Sequence, residues 1–424
     1  MGKTASRGAL FFIVITVVID VIGLGIIIPV MPTLIQELTG GTLSEASTYG
    51  GWLMFAYAST QFFFASVLGN LSDRVGRRPV LLLSLLGFCV NYALMGLAPS
   101  VAWLFAGRLV AGITGASHTV AAAYIADVSP PERRAQNFGL LGAAFGIGFI
   151  IGPVLGGLLG HYGPRVPFFA AAVLSLVNCI YGFFVVPESL PPEKRRPFSW
   201  RKANPVGSFR HIRKFPEIGT LVVCVALVNI AAHAVQSTWS YYTMERYGWT
   251  ERMVGISLGF MGLLVAIVQA GLIRVIIPKL GAERSVLLGL SLYTVALPLM
   301  AFAVDPWIIF VAAVPYVFAG IGGPAIQGII SNRVPAGEQG QIQGGLTSVI
   351  SLTAIIGPPM MTALFAHFTR PEGTVYFPGA PFLAGSVLTA ASVVLAIGYL
   401  RNSRKVSNLD RYENNYDDSD EGGR

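Results

Sequence analysis

The chain has 424 residues, of which 54% are hydrophobic and 12% are charged, and its formal net charge is +8. Soluble globular domains carry about 25% charged residues, so the composition excludes an ordinary soluble protein and predicts an integral membrane protein. The three cysteines lie within apolar runs, without the spacing of a disulfide framework or a metal site. We therefore expect no metal and no cofactor.

Twelve apolar runs follow one another along the chain. A helix of about 20 apolar residues spans a hydrocarbon core of about 30 Å, and each run is close to that length. The sequence therefore predicts an all-α membrane protein with twelve transmembrane helices, at residues 9–31, 47–69, 79–98, 101–125, 136–160, 166–187, 216–240, 253–276, 285–304, 306–331, 343–367 and 378–400.

A polar stretch between the sixth and seventh spans divides the chain into two six-helix bundles. The N-terminal bundle covers residues 1–187, the cytoplasmic linker 188–215 and the C-terminal bundle 216–400. Prolines make the linker a poor long helix. Residues 401–424 form an acidic, polar tail with little to bury, which we expect to be disordered.

The two bundles carry similar sequence features at a constant offset. Ile150–Pro153 in the fifth span recurs as Ile355–Pro358 in the eleventh, and the charged hairpin after the second span has a weaker copy around Gly281. Two halves in the same orientation, related by an axis along the membrane normal, are typical of one large class of carriers. The repeat predicts pseudo-symmetric bundles.

Most of the 29 Lys and Arg residues fall on one side of the membrane when the linker, the tail and every even-to-odd loop are placed there. The opposite loops contain only Arg165, Arg246, Arg252 and Arg370, and Arg108 alone lies deep within a span. Positive residues accumulate on the cytoplasmic side. We therefore expect a multi-pass inner-membrane protein with both termini in the cytoplasm, and topology rather than a nucleic-acid partner explains the basic charge.

A short charged hairpin, Gly69–Pro79, joins the second and third spans. Its carboxylate and guanidinium groups can pin neighbouring helix ends at the membrane surface, and an acid near the end of the fourth span can pair with them. We predict a cytoplasmic latch that breaks as the two halves rock, formed by Gly69, Asp73, Arg74, Gly76, Arg77, Arg78 and Asp127.

Two intramembrane charges are candidates for proton coupling. Asp20 lies in the first span, where a carboxylate is costly unless it faces the bundle interior or a water-filled cavity. Arg108 shares a helix face with Gly112 and Gly115 and needs an acceptor or water. We predict that both take part in proton coupling, with His233 as a third candidate. Structural hydrogen bonds or a structural ion pair are the alternatives.

The fifth span is rich in small residues. Intervals of about four residues place them on one face, where they permit close helix packing. A tightly packed helix of this kind is where rocking halves would articulate. We predict a helix-packing hinge formed by Gly146, Gly148, Gly152, Pro153, Gly156 and Gly157.

Polar and aromatic residues within the spans predict a ligand cavity between the halves. Such clusters suit an amphiphilic ligand, although interior packing is the alternative for each residue. The candidates for substrate binding are Gln61, Asn91, His118, Gln236, Trp239, Tyr242 and Gln327.

The charged hairpin, Arg108–Gly115 and Gly148–Gly157 together resemble the signatures of the major facilitator superfamily and of its drug:proton antiporters. A further similarity, to tetracycline efflux antiporters, is carried by Asp20–Pro32, Gly76–Leu85, Arg246–Trp249 and Ala319–Gly328. This resemblance implies that substrate binding, proton coupling or gating involves Asp20, Gln61, Arg77, Arg108 and Asp127.

The sequence departs from those antiporters at three intramembrane positions. Asn91 replaces an acid in the third span, Val265 a histidine in the eighth, and Tyr293 an acid in the ninth. These departures weaken proton coupling through the C-terminal half and the recognition of a cationic metal–tetracycline chelate.

The sequence as a whole predicts a transporter and not an enzyme. We expect a monomer that exports an amphiphilic drug-like compound, tetracycline among the candidates, in exchange for protons by alternating access. Its partners would be a small-molecule substrate, protons and membrane lipids. A proton-coupled or facilitative importer of a small nutrient is the alternative on the same scaffold, and a non-transporting membrane sensor is a third class.

Overall fold

The computed structural model describes residues 3–115, 117–200, 212–335 and 337–421, and the described part of the chain contains helices and no strand. Residues 201–211 of the predicted linker lie outside the described ranges. The N-terminal half consists of α1 Lys3–Ile26, α2 Met31–Thr39, α3 Leu43–Val75, α4 Arg77–Gly96, α5 Val101–Thr114, α6 Ser117–Val128, α7 Pro131–Gly160 and α8 Val166–Val185.

The C-terminal half repeats this succession of helices. A short 3-10 turn, Pro216–Ile218, precedes its first long helix, and a π-helical segment, Val268–Leu272, interrupts its second span. Its helices are α9 Gly219–Tyr247, α10 Glu251–Ile267, α11 Ile273–Leu280, α12 Ala282–Ala301, α13 Pro306–Phe318, α14 Gly322–Asn332, α15 Gln339–Thr369 and α16 Ala380–Glu421.

Each of the twelve predicted spans has a helical counterpart. In the described residues, 10 helical segments are long and apolar enough to cross a membrane, and the pair Leu10–Ile26 and Met31–Thr39, bent by 45°, makes an eleventh. The remaining span is the eighth, which α10 and α11 form on either side of the π-helical segment. Proline explains the bend in the first span, because Pro29 and Pro32 remove backbone donors there.

The last helix differs from the prediction for the tail. It runs from Ala380 to Glu421 and so continues through the acidic residues that the composition predicts to be disordered. Neither proline nor glycine occurs between Gly398 and Gly422, so no residue there breaks a helix. The domain boundaries themselves stay predictions.

The two charged hairpins have the same backbone conformation at their central glycines. Gly76 has φ 113° and ψ 158°, and Gly281 has φ 80° and ψ 158°. Side chains rarely adopt this positive φ, whereas glycine adopts it without steric cost. The copy that the sequence places around Gly281 is therefore a structural repeat of the first hairpin.

The halves are sealed against each other at the end of the bundle away from the basic loops, which we call the outer end. Ser44 Oγ donates to Ala366 O (2.7 Å), and Ser240 Oγ donates to Ile28 O (3.2 Å) across this seal. Towards the opposite, inner end, a Cβ placed on Gly139 or Gly142 of α7 would have no heavy atom within 4 Å. The contacts that join the halves therefore lie at the outer end, and the bundle opens towards the end that carries the basic loops.

Candidate functional site

A cavity lies between the halves directly beneath the outer seal. Its volume is about 190 Å³, below the roughly 300–1,000 Å³ of typical ligand sites, so this conformation holds a small ligand or part of a larger one. Helices α1, α2, α3, α5 and α9 and the turn between α1 and α2 provide the walls. The lining residues are Leu24, Ile27, Ile28, Met31, Gly50, Leu53, Met54, Tyr57, Arg108, Gln236, Ser237, Ser240 and Tyr241.

Arg108 is the charged residue in this lining, and it projects from α5. Its guanidinium carbon lies 6.0 Å from the centre of the Tyr57 ring, a distance at which a cation is attracted to an aromatic face. Its Nε is buried and has no hydrogen-bond partner among the residues that the structure describes. Glycine brings α5 close enough to α3 for this contact, because a Cβ on Gly112 would lie 2.6 Å from the backbone oxygen of Tyr57.

Gln61 lies behind the cavity wall rather than in it. Its Nε2 donates to the Tyr57 hydroxyl oxygen (2.8 Å) and to Gly115 O (3.2 Å). Because residues four apart share a helix face, Tyr57 and Gln61 are neighbours on α3. Gln61 therefore fixes the position of Tyr57. Tyr57 itself lines the cavity and was not predicted from the sequence.

Asp20 lies one turn of α1 closer to the inner end than Leu24 of the cavity wall. Its side chain is 7% exposed. The Ser117 and Asn178 side chains lie close to the carboxylate, but no hydrogen bond of normal distance and angle reaches either of its oxygens among the described residues. No ion pair within that part of the chain joins it to Arg108 or to another cation. Tyr57 and Tyr92 lie within electrostatic range of both Asp20 and Arg108. The acid is thus enclosed without being neutralised by a basic partner.

Two of the predicted latch residues, Asp73 and Asp127, meet at the side chain of a third, Arg77. Its Nη1 donates to Asp73 Oδ1 (2.6 Å), and its Nε donates to Asp127 Oδ2 (3.1 Å). Arg78 instead donates to Phe183 O (2.5 Å), and Arg74 is exposed. The cluster joins helices of the N-terminal half and is intact although the inner end is open, so in this conformation it does not bridge the two halves.

Glu188, which the sequence analysis missed, holds the same hairpin from the other side. Its carboxylate accepts hydrogen bonds from the backbone N–H groups of Arg77 (2.8 Å), Arg78 (3.3 Å) and Leu190 (3.0 Å). The first two N–H groups belong to the first turn of α4, where a negative charge stabilises the helix. Glu188 therefore ties the end of the sixth span to the hairpin.

We expect Glu188→Ala to lower the free energy of unfolding by about 1–3 kcal/mol, because three backbone donors lose a charged acceptor. Glu188→Gln should cost less, since its amide oxygen can still accept. Thermal unfolding in detergent micelles measures both variants, with Glu193→Ala in the exposed linker segment as the matched control. Equal melting temperatures for Glu188→Ala and Glu193→Ala would contradict this role.

Five of the six predicted hinge residues lie in close contacts at the outer half of α7. A Cβ on Gly148 or Gly152 would lie no more than 2.9 Å from a backbone atom of α1. Pro153 lies beside Gly25, which also belongs to α1. Gly156 also packs on α1, whereas Gly157 faces α10 of the other half. The exception is Gly146, where a Cβ would meet nothing within 4 Å.

The partner surface of this hinge on α10 was not predicted. Gly255, Gly259 and Gly262 face Gly157, Val154 and Ile150 of α7, in that order. Their spacing, with glycine at intervals of four and three residues, is a signal of close helix packing. It could have been read from the sequence.

The outer seal also contains an unpredicted polar contact between the halves. Thr33 Oγ1 donates to Glu251 Oε1 (2.5 Å), which joins α2 to the first turn of α10. Ser47 Oγ reaches Thr362 O (3.4 Å) from α3 to α15. Short polar side chains do not by themselves indicate such partners.

Of the predicted substrate residues, only Gln236 lines the cavity. Two of the other candidates lie outside the lining in this conformation: Trp239 is 2% exposed and donates to Ser257 Oγ (2.9 Å), while Tyr242 is fully buried and donates to Met300 O (2.8 Å). Both side chains point into the C-terminal bundle. Tyr241, two residues after Trp239 and one before Tyr242, faces the cavity instead.

The remaining candidates lie elsewhere in the bundle. Asn91 is buried within the N-terminal half, and its Oδ1 has no hydrogen-bond partner in the described part of the chain. The side chains of His118 and Gln327 are exposed. His233 packs against Gly357 of α15 and is not part of the cavity lining. The cavity therefore does not bring His233 together with Asp20 or Arg108.

Sequence comparison identifies the fold and the group of relatives. The family model of the major facilitator superfamily matches residues 13–323 and 276–414. The chain belongs to this superfamily. It is 42% identical over 361 residues to the class C tetracycline resistance protein of Escherichia coli, covering 85% of this chain and 90% of that protein. The class B protein of Escherichia coli is 34% identical over 379 residues, covering 89% of this chain and 94% of that protein.

Within the superfamily, the chain is therefore a member of the tetracycline resistance protein family. A solved structure of a bacterial homolog of the human lysosomal transporter Spinster, in an inward-facing and unoccupied conformation, has a TM-score of 0.71. It is 17% identical and covers 94% of this chain and 96% of that one, so the likeness concerns the fold alone. The twelve-helix fold class and the family resemblance are both confirmed.

Proposed function

We propose that the protein is a proton-coupled exporter of an amphiphilic drug-like compound, with tetracycline as the first candidate. The observation that carries this proposal is the pairing of an apolar cavity between the halves with an unneutralised acid one helical turn away from it. An intramembrane carboxylate that faces the bundle interior marks a proton pathway by default. The relatives named as tetracycline resistance proteins support the choice of cargo.

Asp20 is the proton site in this mechanism. In the inward-facing conformation the substrate enters from the inner end and occupies the cavity beneath the outer seal. Rocking of the halves about the contacts of α7 with α1 and α10 then opens the outer end. A proton that enters on Asp20 from the outer side favours the return, so one cycle exchanges proton for drug.

Proton coupling is expected to run through the N-terminal half alone. Val265 packs in an apolar cluster with Val317 and Ile321, and Tyr293 contacts Tyr316 with ring centres 5.1 Å apart. Neither position offers an acid or a histidine within the C-terminal bundle. The protein would act as a monomer in the inner membrane with both termini in the cytoplasm, without nucleic acid and without enzymatic activity.

Transport in proteoliposomes tests the proposal. Purified protein is reconstituted, an acidic interior is imposed, and the uptake of labelled tetracycline and other amphiphilic drugs is followed. We expect accumulation that collapses when a protonophore removes the gradient, and none in protein-free liposomes. Accumulation driven instead by an alkaline interior would indicate symport and would support the importer.

A further inference from the structure

We propose that the first part of the linker, residues 188–200, docks on the anionic lipids of the cytoplasmic leaflet. Trp200 enters the headgroup layer, and the basic side chains before it pair with lipid phosphates. The proposal concerns the membrane around the protein and does not depend on the cargo or on proton coupling. It takes the inner end of the bundle, which carries the basic loops, as the cytoplasmic end.

Hydrogen bonds hold this part of the linker against the inner end of α3. The backbone N–H of Arg196 donates to Asp73 O (3.0 Å). The Asn70 side chain pairs with the backbone of Ser199, since its Nδ2 donates to Ser199 O (2.8 Å) and its Oδ1 accepts from Ser199 N–H (3.4 Å). Both helix residues belong to the N-terminal half, so the linker is fixed beside that half.

The order of these contacts shows that the linker turns back towards the membrane. Helix α3 runs from the outer end of the bundle to the inner end, so Asn70 lies deeper than Asp73. Three residues of an α-helix separate the two, which is about 4.5 Å. Arg196 is held at the shallower level and Ser199 at the deeper one. Trp200 therefore follows at the level where the second span ends.

Trp200 has the chemistry of a residue at a membrane surface. It is 75% exposed, and the Phe198 ring packs edge-on against it with ring centres 4.9 Å apart. Tryptophan combines a large apolar surface with one N–H donor, and it is enriched at the level of lipid headgroups. Exposure of so large an apolar ring to water is unfavourable. Insertion among the headgroups would remove this cost.

The segment before the aromatic pair carries the charge that attracts anionic lipids. Lys194, Arg195 and Arg196 are exposed, and none of them forms an ion pair with a residue that the structure describes. Glu193 is the exposed acid of the segment, whereas Glu188 accepts hydrogen bonds from the hairpin. The two residues after the tryptophan are basic as well. Basic residues beside a membrane-spanning helix bind anionic lipids, and each adds to the attraction.

A lipid surface fits these observations better than the acidic tail of the same chain. Residues 410–421 carry the opposite charge to the linker, but they are largely polar and offer little apolar surface to an exposed tryptophan. The headgroup layer of an anionic membrane supplies both apolar surface and negative charge. The return of the linker towards the membrane brings its aromatic and basic side chains to that layer.

Tryptophan fluorescence of the full-length protein in nanodiscs tests the docking. The signal of Trp200 is the difference between the parent and Trp200→Phe, a conservative change at an exposed position. The nanodiscs contain phosphatidylcholine alone or with about 30% phosphatidylglycerol, which makes the surface negative. We expect acrylamide to quench the signal at least about twofold less in the anionic nanodiscs. Molar salt should abolish this difference because it screens the charges.

Equal quenching in the two kinds of nanodisc would overturn the proposal. If that equal quenching is weak and stays weak in detergent micelles, a protein surface such as the acidic tail covers Trp200 instead. These measurements involve no cargo and no proton gradient. Failure of gradient-driven uptake would therefore refute the proposed export and leave the docking intact, and the reverse also holds.

Charge variants assign the docking to the linker, each measured against the same variant with Trp200→Phe. Arg195→Gln combined with Arg196→Gln should lower the ratio of docked to free Trp200 in anionic nanodiscs by about tenfold or more. The matched control combines Lys279→Gln with Arg284→Gln, which removes two exposed charges from the corresponding hairpin of the C-terminal half. It should leave the signal unchanged. Equal effects of the two double variants would overturn the role of the linker.

Discussion

Asp20→Asn should lower gradient-driven export by about 100-fold or more, the scale on which loss of a proton-transferring group acts, and leave drug binding within about threefold. Asparagine has nearly the shape of aspartate but cannot take up or release a proton. Asp20 is buried and forms no ion pair with any described residue, so its replacement removes no salt bridge seen there. The cavity wall begins one turn away at Leu24, which is why binding should survive.

Inverted membrane vesicles give the measurement for Asp20→Asn. Addition of drug to acid-loaded vesicles should release protons with the parent protein and release none with the variant, while equilibrium binding of the same drug is compared in parallel. Glu372→Gln, which makes the equivalent change in an exposed outer loop, is the control and should behave as the parent. Proton exchange at the parent rate by Asp20→Asn would remove Asp20 from the mechanism.

Long-range features of the fold could be predicted because they follow from local composition. Each span is an apolar run that must satisfy its backbone polar groups internally, and only a helix does so within a lipid bilayer. The hairpin could be predicted as well, since charges confined between two spans must lie at the surface. Asp73 and Asp127, 54 positions apart in the chain, converge on Arg77 as expected because both lie at inner helix ends.

Cavity residues were harder to predict because the facing direction of each side chain depends on helix packing. The seventh span carries polar and aromatic groups on several faces, and its sequence alone did not show which face meets the other half. Tyr241 packs across the seal against Gly50, whereas Trp239 and Tyr242 turn into their own bundle. Glu188 was missed for a related reason, since its three partners are backbone N–H groups, two of them more than 100 residues away.

The hinge was predicted on one helix only. The glycines of α7 identify a closely packed helix, but the sequence does not state which neighbours they touch. The structure places α1 against Gly148 and Gly152 and places α10 against Gly157. The second contact is the one that crosses between the halves, so it is the one that should control which end of the bundle is open.

Gly157→Leu should shift the protein towards an outward-open conformation. A Cβ on Gly157 would lie 2.5 Å from Glu251 O and 3.1 Å from the Cα atoms of Arg252 and Gly255. These are backbone atoms, which cannot move aside as a flexible side chain could, so the outer seal must separate to accept the leucine. Overpacking costs about 1–3 kcal/mol, and about 1.4 kcal/mol is a tenfold change in an equilibrium, so the outward-open fraction should rise about tenfold.

A cysteine reporter in the cavity measures this shift. In a background without Cys89, Cys179 and Cys224, Leu53→Cys is labelled with a membrane-impermeant maleimide added from the outer side. Labelling should be slow with Gly157 present and about tenfold faster with leucine. Gly142→Leu is the matched control, because it adds the same side chain to the same helix where a Cβ meets nothing within 4 Å. If both leucine variants accelerate outer labelling equally, the contact between α7 and α10 does not hold the outer end closed.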